Sequence, residues 1–447
     1  MISDWEMPPS RATLIAAGEQ ARKTTPRRFL AELPTGGRDP LGIITAQNRT
    51  RIPELVPLRT ERMSASPFTF FRGTAALMAA DLAGAPHSGI LVASCGDAHI
   101  SNFGFYASQQ RSLMFDLNDF DEAAWAPWEW DVKRLVTSVV IGGRSTNRDE
   151  AVIEQAAEAA VQSYTRAITR ASDLGPTARY FTHFDVNGTL SMLDKHARRA
   201  IRSSIAQAER RTTERAVRKL TVQDPDGRRR FQHVEPTTVG VGPALLEIVH
   251  SLIEQYRLSA NEDIALLFDH YRISDVARRV VGVGSVGTRC YLVLMQDGDG
   301  HTLLLQPKEA ARSVLVEYGG VEQPTRLTDL IEAGGEGARV VAMQRVLQGL
   351  SDPFLGHLRG PNVDYYVRQF HDMKGGVDVE LLDDGPFITY ARACAATVAR
   401  AHSQSVTAAE VAGYLGKARV ATRALVDWAH AYAEVSRSDY EAFIAAQ

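Results

Sequence analysis

The stretch Ser94–Gly104, SCGDAHISNFG, sets an aspartate, a histidine and an asparagine in one short loop directly after the apolar run GILVA. Asp97 and Asn102 stand five positions apart, with His99 between them. That spacing suits group transfer to a hydroxyl: a carboxylate must reach the acceptor while an amide oxygen meets a magnesium ion carried on phosphates, and a short loop keeps the two in step. A second acidic cluster, FDLNDFDEA at Phe115–Ala123, offers the hard oxygen ligand that the first loop lacks. Asp116, Asp119 and Asp121 are the candidates for that ligand. Asp97, His99, Asp116 and Asp119 also make up the kind of carboxylate and histidine set that a metal-dependent hydrolase uses. Asx-turns and helix N-caps draw on the same residue types.

A phosphate grip needs a glycine-rich loop and a cation. VVGVGSVGTRCYLVLMQDGDGHTLLLQPKEA places Gly282, Gly284, Ser285 and Gly287 between two strand-like segments, then a turn, then a third strand running to Lys308. Glycine lets backbone N–H groups approach phosphate without a Cβ in the way, and an ammonium on the third strand reaches the phosphate oxygens. A strand, TRCYLVLM, follows the glycines where a dinucleotide fold would have a helix, and no G-K-[ST] follows as a Walker A loop requires.

These motifs resemble those of the protein kinase-like and aminoglycoside phosphotransferase superfamily. GDAHISN resembles its catalytic loop, and NDFDEA resembles the metal loop of aminoglycoside and choline kinase relatives. Asp131 in WEWDVKRL, twelve residues on from Asp119, resembles the aspartate that steadies the catalytic loop there. The resemblance implies an ATP- and magnesium-dependent phosphotransferase. Asp97 would orient or accept the acceptor proton, Asn102 and Asp119 would hold magnesium, and Lys308 would bind phosphate under a cover at Gly282–Gly287. His99 would hydrogen-bond within its loop. VDYYVRQFHDMKG, with Tyr366 and Arg368, would be the strand and hinge beside the adenine. Glu317, Glu332 and Glu336 are all near enough in sequence to pair with Lys308. Without H-R-D, D-F-G or A-P-E there is no activation loop to expect, which favours a small-molecule acceptor. Two rivals share these parts: an AMP-transferring enzyme, and a nucleotide-binding regulatory module without turnover, favoured if Lys308 lacks an acidic partner. In such relatives the glycine loop and lysine precede the catalytic loop, whereas here Lys308 follows Asp97 by roughly two hundred residues, so the chain resembles a circular permutant. The wider string of motifs, with SDPFLGH and YARACAATVARAH, resembles an uncharacterised bacterial family, domain of unknown function 2252, from about residue 40 to the end.

The elements that must position these residues follow from periodicity. The expected class is α/β (α+β), a two-lobed kinase-like fold with a helical insertion. Residues 1–60 are an extended Arg- and Pro-rich arm; 61–145 carry the catalytic and metal loops; 146–270 are a helical insertion, basic from about Met192 to Lys219; 271–380 are a β-rich nucleotide lobe; 381–447 are helices. With 45% hydrophobic residues the chain has ample core, and 50 basic against 53 acidic residues give no drive toward nucleic acid or membrane. Cys95, Cys290 and Cys394 are odd in number and widely spaced, which indicates buried thiols. No leader pattern or bilayer-length apolar run is seen, so a cytoplasmic protein acting on a nucleotide and a small molecule is expected.

Overall fold

Prolines near the N-terminus start helices instead of extending the chain. The computed structural model describes residues 7–184, 202, 205–280, 282–370 and 375–447. The arm expected to be extended forms α1 (Arg11–Thr24), α2 (Pro40–Arg49) and α3 (Val56–Ser64). Pro40 follows the Asp39 N-cap and Pro57 lies in the first turn of α3, where a missing N–H removes no helical hydrogen bond. α4 (Pro67–Arg72), entered through a Ser66–Thr69 capping box, is separated at Gly73–Thr74 from α5 (Ala75–Ala83).

Two small antiparallel sheets then carry the acidic loops. β1 (Leu91–Ser94) pairs with β4 (Ala124–Pro127), and β2 (Phe103–Ala107) pairs with β3 (Leu113–Leu117). The Asp97–Asn102 loop therefore joins β1 to β2, and the Asp119–Glu122 loop joins β3 to β4. α6 (Trp128–Ser145) follows, buried from Trp128 to Gly143, and then α7 (Glu150–Asp173) and the short α8 (Pro176–Tyr180). Most of the basic stretch from Met192 to Ser204 lies outside the described residues; its end forms α9 (Thr213–Leu220) and the hairpin β5 (Thr221–Gln223) and β6 (Arg229–Phe231).

The alternating apolar run after Tyr271 builds the largest sheet. β7 (Thr238–Gly240) is followed by α10 (Pro243–Ser259) and α11 (Glu262–Leu267). β8 (Arg272–Arg279), β9 (Tyr291–Gln296) and β10 (Thr302–Ala310) precede α12 (Val314–Glu317), α13 (Thr325–Leu347), β11 (Gly356–Arg359) and β12 (Asp364–Gln369). The six strands lie antiparallel in the order β11–β12–β10–β9–β8–β7. One face, with Val293, Met295, Leu305 and Val367, packs on Tyr256 and Phe268; the opposite face, with Leu292, Leu294 and Leu304, meets Val217 of α9. Because β7 joins it, this sheet crosses the boundary that the sequence suggests at residue 270. α13 is kinked at Gly335, where the Asp364 carboxylate accepts from Glu336 N and restarts the helix.

β13 (Gly375–Gly376) returns to pair with β2, and α14 (Asp384–His402), α15 (Ala408–Leu415) and α16 (Arg419–Ala445) complete the chain. One core cluster links α6, α7, α14 and α16 with the strands bearing both acidic loops. All three cysteines are free and buried. Among the described residues no helix is long and apolar enough to cross a membrane.

Candidate functional site

Gly96 opens the first loop with φ of +79°, and a Cβ there would lie 2.3 Å from the carbonyl oxygen of Glu122. Glycine at this position therefore lets the two acidic loops touch backbone to backbone. Asp131, in the first turn of α6, accepts from the N–H groups of Cys95 (2.7 Å) and Gly96 (3.0 Å), and His402 Nε2 lies 3.1 Å from the same carboxylate. The turn that launches Asp97 is thus fixed from a helix on one side and a buried histidine on the other. Asn102 Nδ2 donates to the Asp97 carbonyl at 2.8 Å, which ties the two ends of the loop together through the amide nitrogen.

Asp97 accepts from Arg134 Nε at 2.8 Å. Burial raises its pKa, with the Arg134 charge opposing the rise. His99 Nδ1 accepts from Ser101 N, and burial, then Arg72 and Arg134, hold its pKa well below the usual value. A neutral imidazole engaged with its own loop is a positioning group.

The second loop carries the lysine's partners. Lys308 Nζ lies 2.7 Å from Asp121 Oδ2 and 3.9 Å from Asp119 Oδ1, and only 3% of its side chain is exposed. Burial alone would lower its pKa; the carboxylates of Asp119 and Asp121 outweigh it and raise it well above the usual value. Tyr366 OH donates to Asp121 Oδ1 at 2.5 Å. None of Glu317, Glu332 and Glu336 fills the role considered for it. Glu336 instead bonds Arg339, a buried residue of α13 whose guanidinium also donates to the carbonyls of Asp121, Ala123 and Ala311. The long helix thus steadies the acidic loop by an arginine, and the loop itself holds the lysine. Glu122 accepts from Val314 N, and burial pushes its pKa up to about 7.

Asp116, a competitor for the metal role, is taken up elsewhere: its oxygens accept from Leu117 N and Gly349 N, and it faces away from the shared cavity described next. Arg368 donates to Gln306 Oε1 and lines a separate small cavity beside Gln344 and Asp352, while Tyr366 is buried beneath the lysine pair. Neither of these two hinge-strand residues lines the shared cavity. The turn expected after that strand, His371–Lys374, lies outside the described residues.

The glycine loop joins β8 to β9, with positive φ at Gly282 (+68°) and Gly287 (+90°). The N-terminal arm holds it: Ile52 N donates to Gly287 O at 2.8 Å, Arg62 Nη1 to Gly282 O at 2.6 Å, and Arg51 to Val286 O. Leu55 packs with Val280 and Val286 below. Between the loop and the acidic cluster lies a cavity of about 700 Å³, within the usual range for a small-molecule site. Asp97, His99, Asn102, Asp119 and Asp121 line one side; Gly282, Gly284 and Ser285 line another, and Glu317 stands at its edge. Lys308 lies just behind this lining, paired with Asp121.

Several residues here escaped the reading of the sequence. Arg134 had a local signal, since it lies three positions after Asp131 on the same helix and so on the same face. Arg51 and Arg72, which also line the cavity, and His402 had none, because each arrives from a distant segment.

The chain belongs to a family described as an uncharacterised protein conserved in bacteria (DUF2252), whose model matches residues 51–446. No curated protein and no solved structure matches it.

Proposed function

We propose that this DUF2252 member is an ATP- and magnesium-dependent phosphotransferase of kinase-like type, circularly permuted, acting on a hydroxyl of a small molecule. The observation that carries this is the single cavity lined both by Asp97, Asn102 and Asp119 and by Gly282, Gly284 and Ser285, segments 163 positions apart between Asp119 and Gly282. The element order supports it as well: the glycine loop joins β8 to β9, the lysine lies on the next strand, β10, and the long helix α13 comes after it, an order that resembles a kinase small lobe with β7 added at the sheet edge, but placed after the catalytic loop in the chain.

The residues present fit a magnesium ion. Asn102 spends its amide nitrogen on the Asp97 carbonyl, which leaves its oxygen as the ligand atom, and Asp119 adds a carboxylate in the same cavity. When bound, the ion would neutralise phosphate charge during transfer. Asp97, oriented by Arg134, is the group that takes the acceptor's proton, and its raised pKa brings it closer to that task. Lys308 supplies positive charge to phosphate oxygens, kept in place by Asp121. The glycine loop, which lines the same cavity at Gly282, Gly284 and Ser285, would offer backbone N–H groups to the phosphates.

Lys308 is paired with Asp121 and not with any of the three glutamates considered, which supports a charged lysine at the site, and the turnover assay below separates the phosphotransferase from a module without turnover. Phosphate and AMP transfer are separated by the mass of the product. The hydrolase set is dispersed, since Asp116 lies away from the cavity and His99 is engaged with Ser101.

The test is calorimetric titration with a non-hydrolysable ATP analogue, with and without magnesium, on the wild type, Asp119→Ala and Lys308→Ala, alongside turnover by Asp97→Asn. Magnesium-dependent binding lost in the first two variants, and turnover lost with binding kept in the third, is the expected outcome. A wild type that binds no nucleotide, or an Asp97→Asn protein with full activity, sinks the assignment.

A further inference from the structure

Arg72 ends α4 beside the glycine loop: a Cβ on Gly284 would lie 3.3 Å from the Arg72 carbonyl oxygen. The backbone on either side of it is held by other arginines. Arg134 donates to Phe71 O at 2.8 Å and Arg59 to Gly73 O at 3.3 Å. Arg72 is therefore presented from a rigid corner, yet its own guanidinium makes no hydrogen bond or ion pair among the described residues, and its Nε is buried without a partner. Arg72 lines the shared cavity with Asp97, Asp119 and Gly284, and its charge is within reach of both carboxylates. Burial lowers its pKa, and the Asp97 and Asp119 charges act against that.

Arg72 is partly buried, and a guanidinium whose Nε is sealed from solvent without a partner is costly unless an anion completes it. Its neighbours divide the work around it: Arg134 is spent on Asp97, Lys308 on Asp121, and Arg51 on the glycine-loop carbonyl of Val286. Among the described residues Arg49 and Arg312 also line the cavity and form no ion pair, but both are exposed, whereas Arg72 is partly buried and feels the charges of Asp97 and Asp119. A planar guanidinium with forked N–H donors matches two oxygens of a phosphoryl group.

We propose that Arg72 is a catalytic arginine supplied in cis, contacting the terminal phosphoryl group of ATP while it transfers. This rests on the phosphotransferase reading above. In the step, the acceptor hydroxyl oxygen forms a bond to the γ-phosphorus as the bond from that phosphorus to the β,γ-bridging oxygen breaks. The hydroxyl proton passes to Asp97, and the bond's electron pair leaves on the β-phosphate of ADP. Arg72 balances the charge on the non-bridging oxygens of the group in flight, the part that arginine fingers play in other phosphoryl transfers.

The test compares wild type, Arg72→Gln and Arg72→Lys by calorimetry with three probes in the presence of magnesium: ADP, a non-hydrolysable ATP analogue and inorganic tripolyphosphate. In Arg72→Gln, affinity for the analogue and for tripolyphosphate is expected to fall about tenfold or more, one direct charged contact. ADP affinity and the thermal midpoint should hold. ATP turnover should fall on the order of 10³-fold, with Arg72→Lys in between and free guanidinium restoring part of the loss in Arg72→Gln. If the wild type binds ADP and the analogue but Arg72→Gln weakens neither, or weakens both alike, the Arg72 assignment fails and the phosphotransferase reading stands. Tripolyphosphate held through Arg72 without nucleotide affinity keeps the arginine as a phosphoryl-binding group and removes the nucleotide reading. Binding of none of the three probes by the wild type overturns both.

Discussion

At the scale of single residues, Lys308 shows how the site economises. Its counter-charge is Asp121, two positions from the proposed metal ligand Asp119, so one loop governs both the cation site and the ammonium. Replacing Asp121 by Ala would leave a buried ammonium with Asp119 at 3.9 Å as its remaining carboxylate and Tyr366 OH without its acceptor. Breaking such a pair from one side costs about 3 kcal/mol, because the charge left behind stays desolvated. Urea denaturation of Asp121→Ala should show that loss, and the double variant with Lys308→Met should recover most of it, since a neutral side chain needs no counter-charge. A single variant as stable as wild type would mean that the ammonium finds solvent instead. The same pair explains why none of the glutamates near Lys308 in sequence was a sound choice: helix α13 sends Arg339, not an acid, toward the loop.

Between elements, the glycine loop is a cover fastened from outside its own sheet. Ile52, Arg62 and Arg51 bond its carbonyls, and Leu55 fills the space under Val280 and Val286. Leu55 is 2% exposed, so Leu55→Ala removes a fully buried side chain, a change that costs 2–5 kcal/mol where it has been measured. The loss should be local. Hydrogen exchange is expected to speed up at Gly282–Thr288 while α14, which has no part in that cluster, keeps its protection. Equal acceleration in both segments would show that the loop and the helical body open as one unit. The helical form of the arm serves this fastening, because α3 and the turn before it present Ile52, Leu55 and Arg62 from one short stretch.

In the whole molecule, the arm also closes the chain on itself. Arg38 forms a bidentate pair with Asp81 of α5 (2.7 and 2.8 Å) and another with Asp439 of α16 (2.9 and 2.7 Å). Both carboxylates are largely buried, with 7% and 8% of their side chains exposed. Arg38→Ala would strand two desolvated carboxylates together, and a loss of about 3–5 kcal/mol in global unfolding is expected, larger than for a surface ion pair. Arg38→Lys keeps the charge without the planar fork and should fall between. If denaturant midpoints for all three proteins coincide, the three segments are held by their apolar contacts alone. Arg38, Arg22 and Arg51 reach α16, α15 and the glycine loop respectively, so the arginine-rich composition of the arm is a set of anchors to distant backbone and carboxylates.

What was legible in the sequence is local. The strand before Asp97, the strand before Asp119 and the helices after Asp383 all follow from periodicity and capping within ten or twenty residues. The Asp97–Asn102 span was equally readable, because a short loop between two strands fixes how far apart its ends can be. Tertiary structure alone decided which carboxylate meets Lys308, that Asp116 turns away from the cavity, that Arg72 and Arg51 enter it, and that the arm is helical and fastens the glycine loop. The physical reason is sequence separation. Asp121 and Lys308 are 187 positions apart, and no backbone rule links residues at that distance. Their meeting depends on how β10 and the β3–β4 loop pack against α13, which is settled by the burial of many side chains at once and not by the spacing of a few.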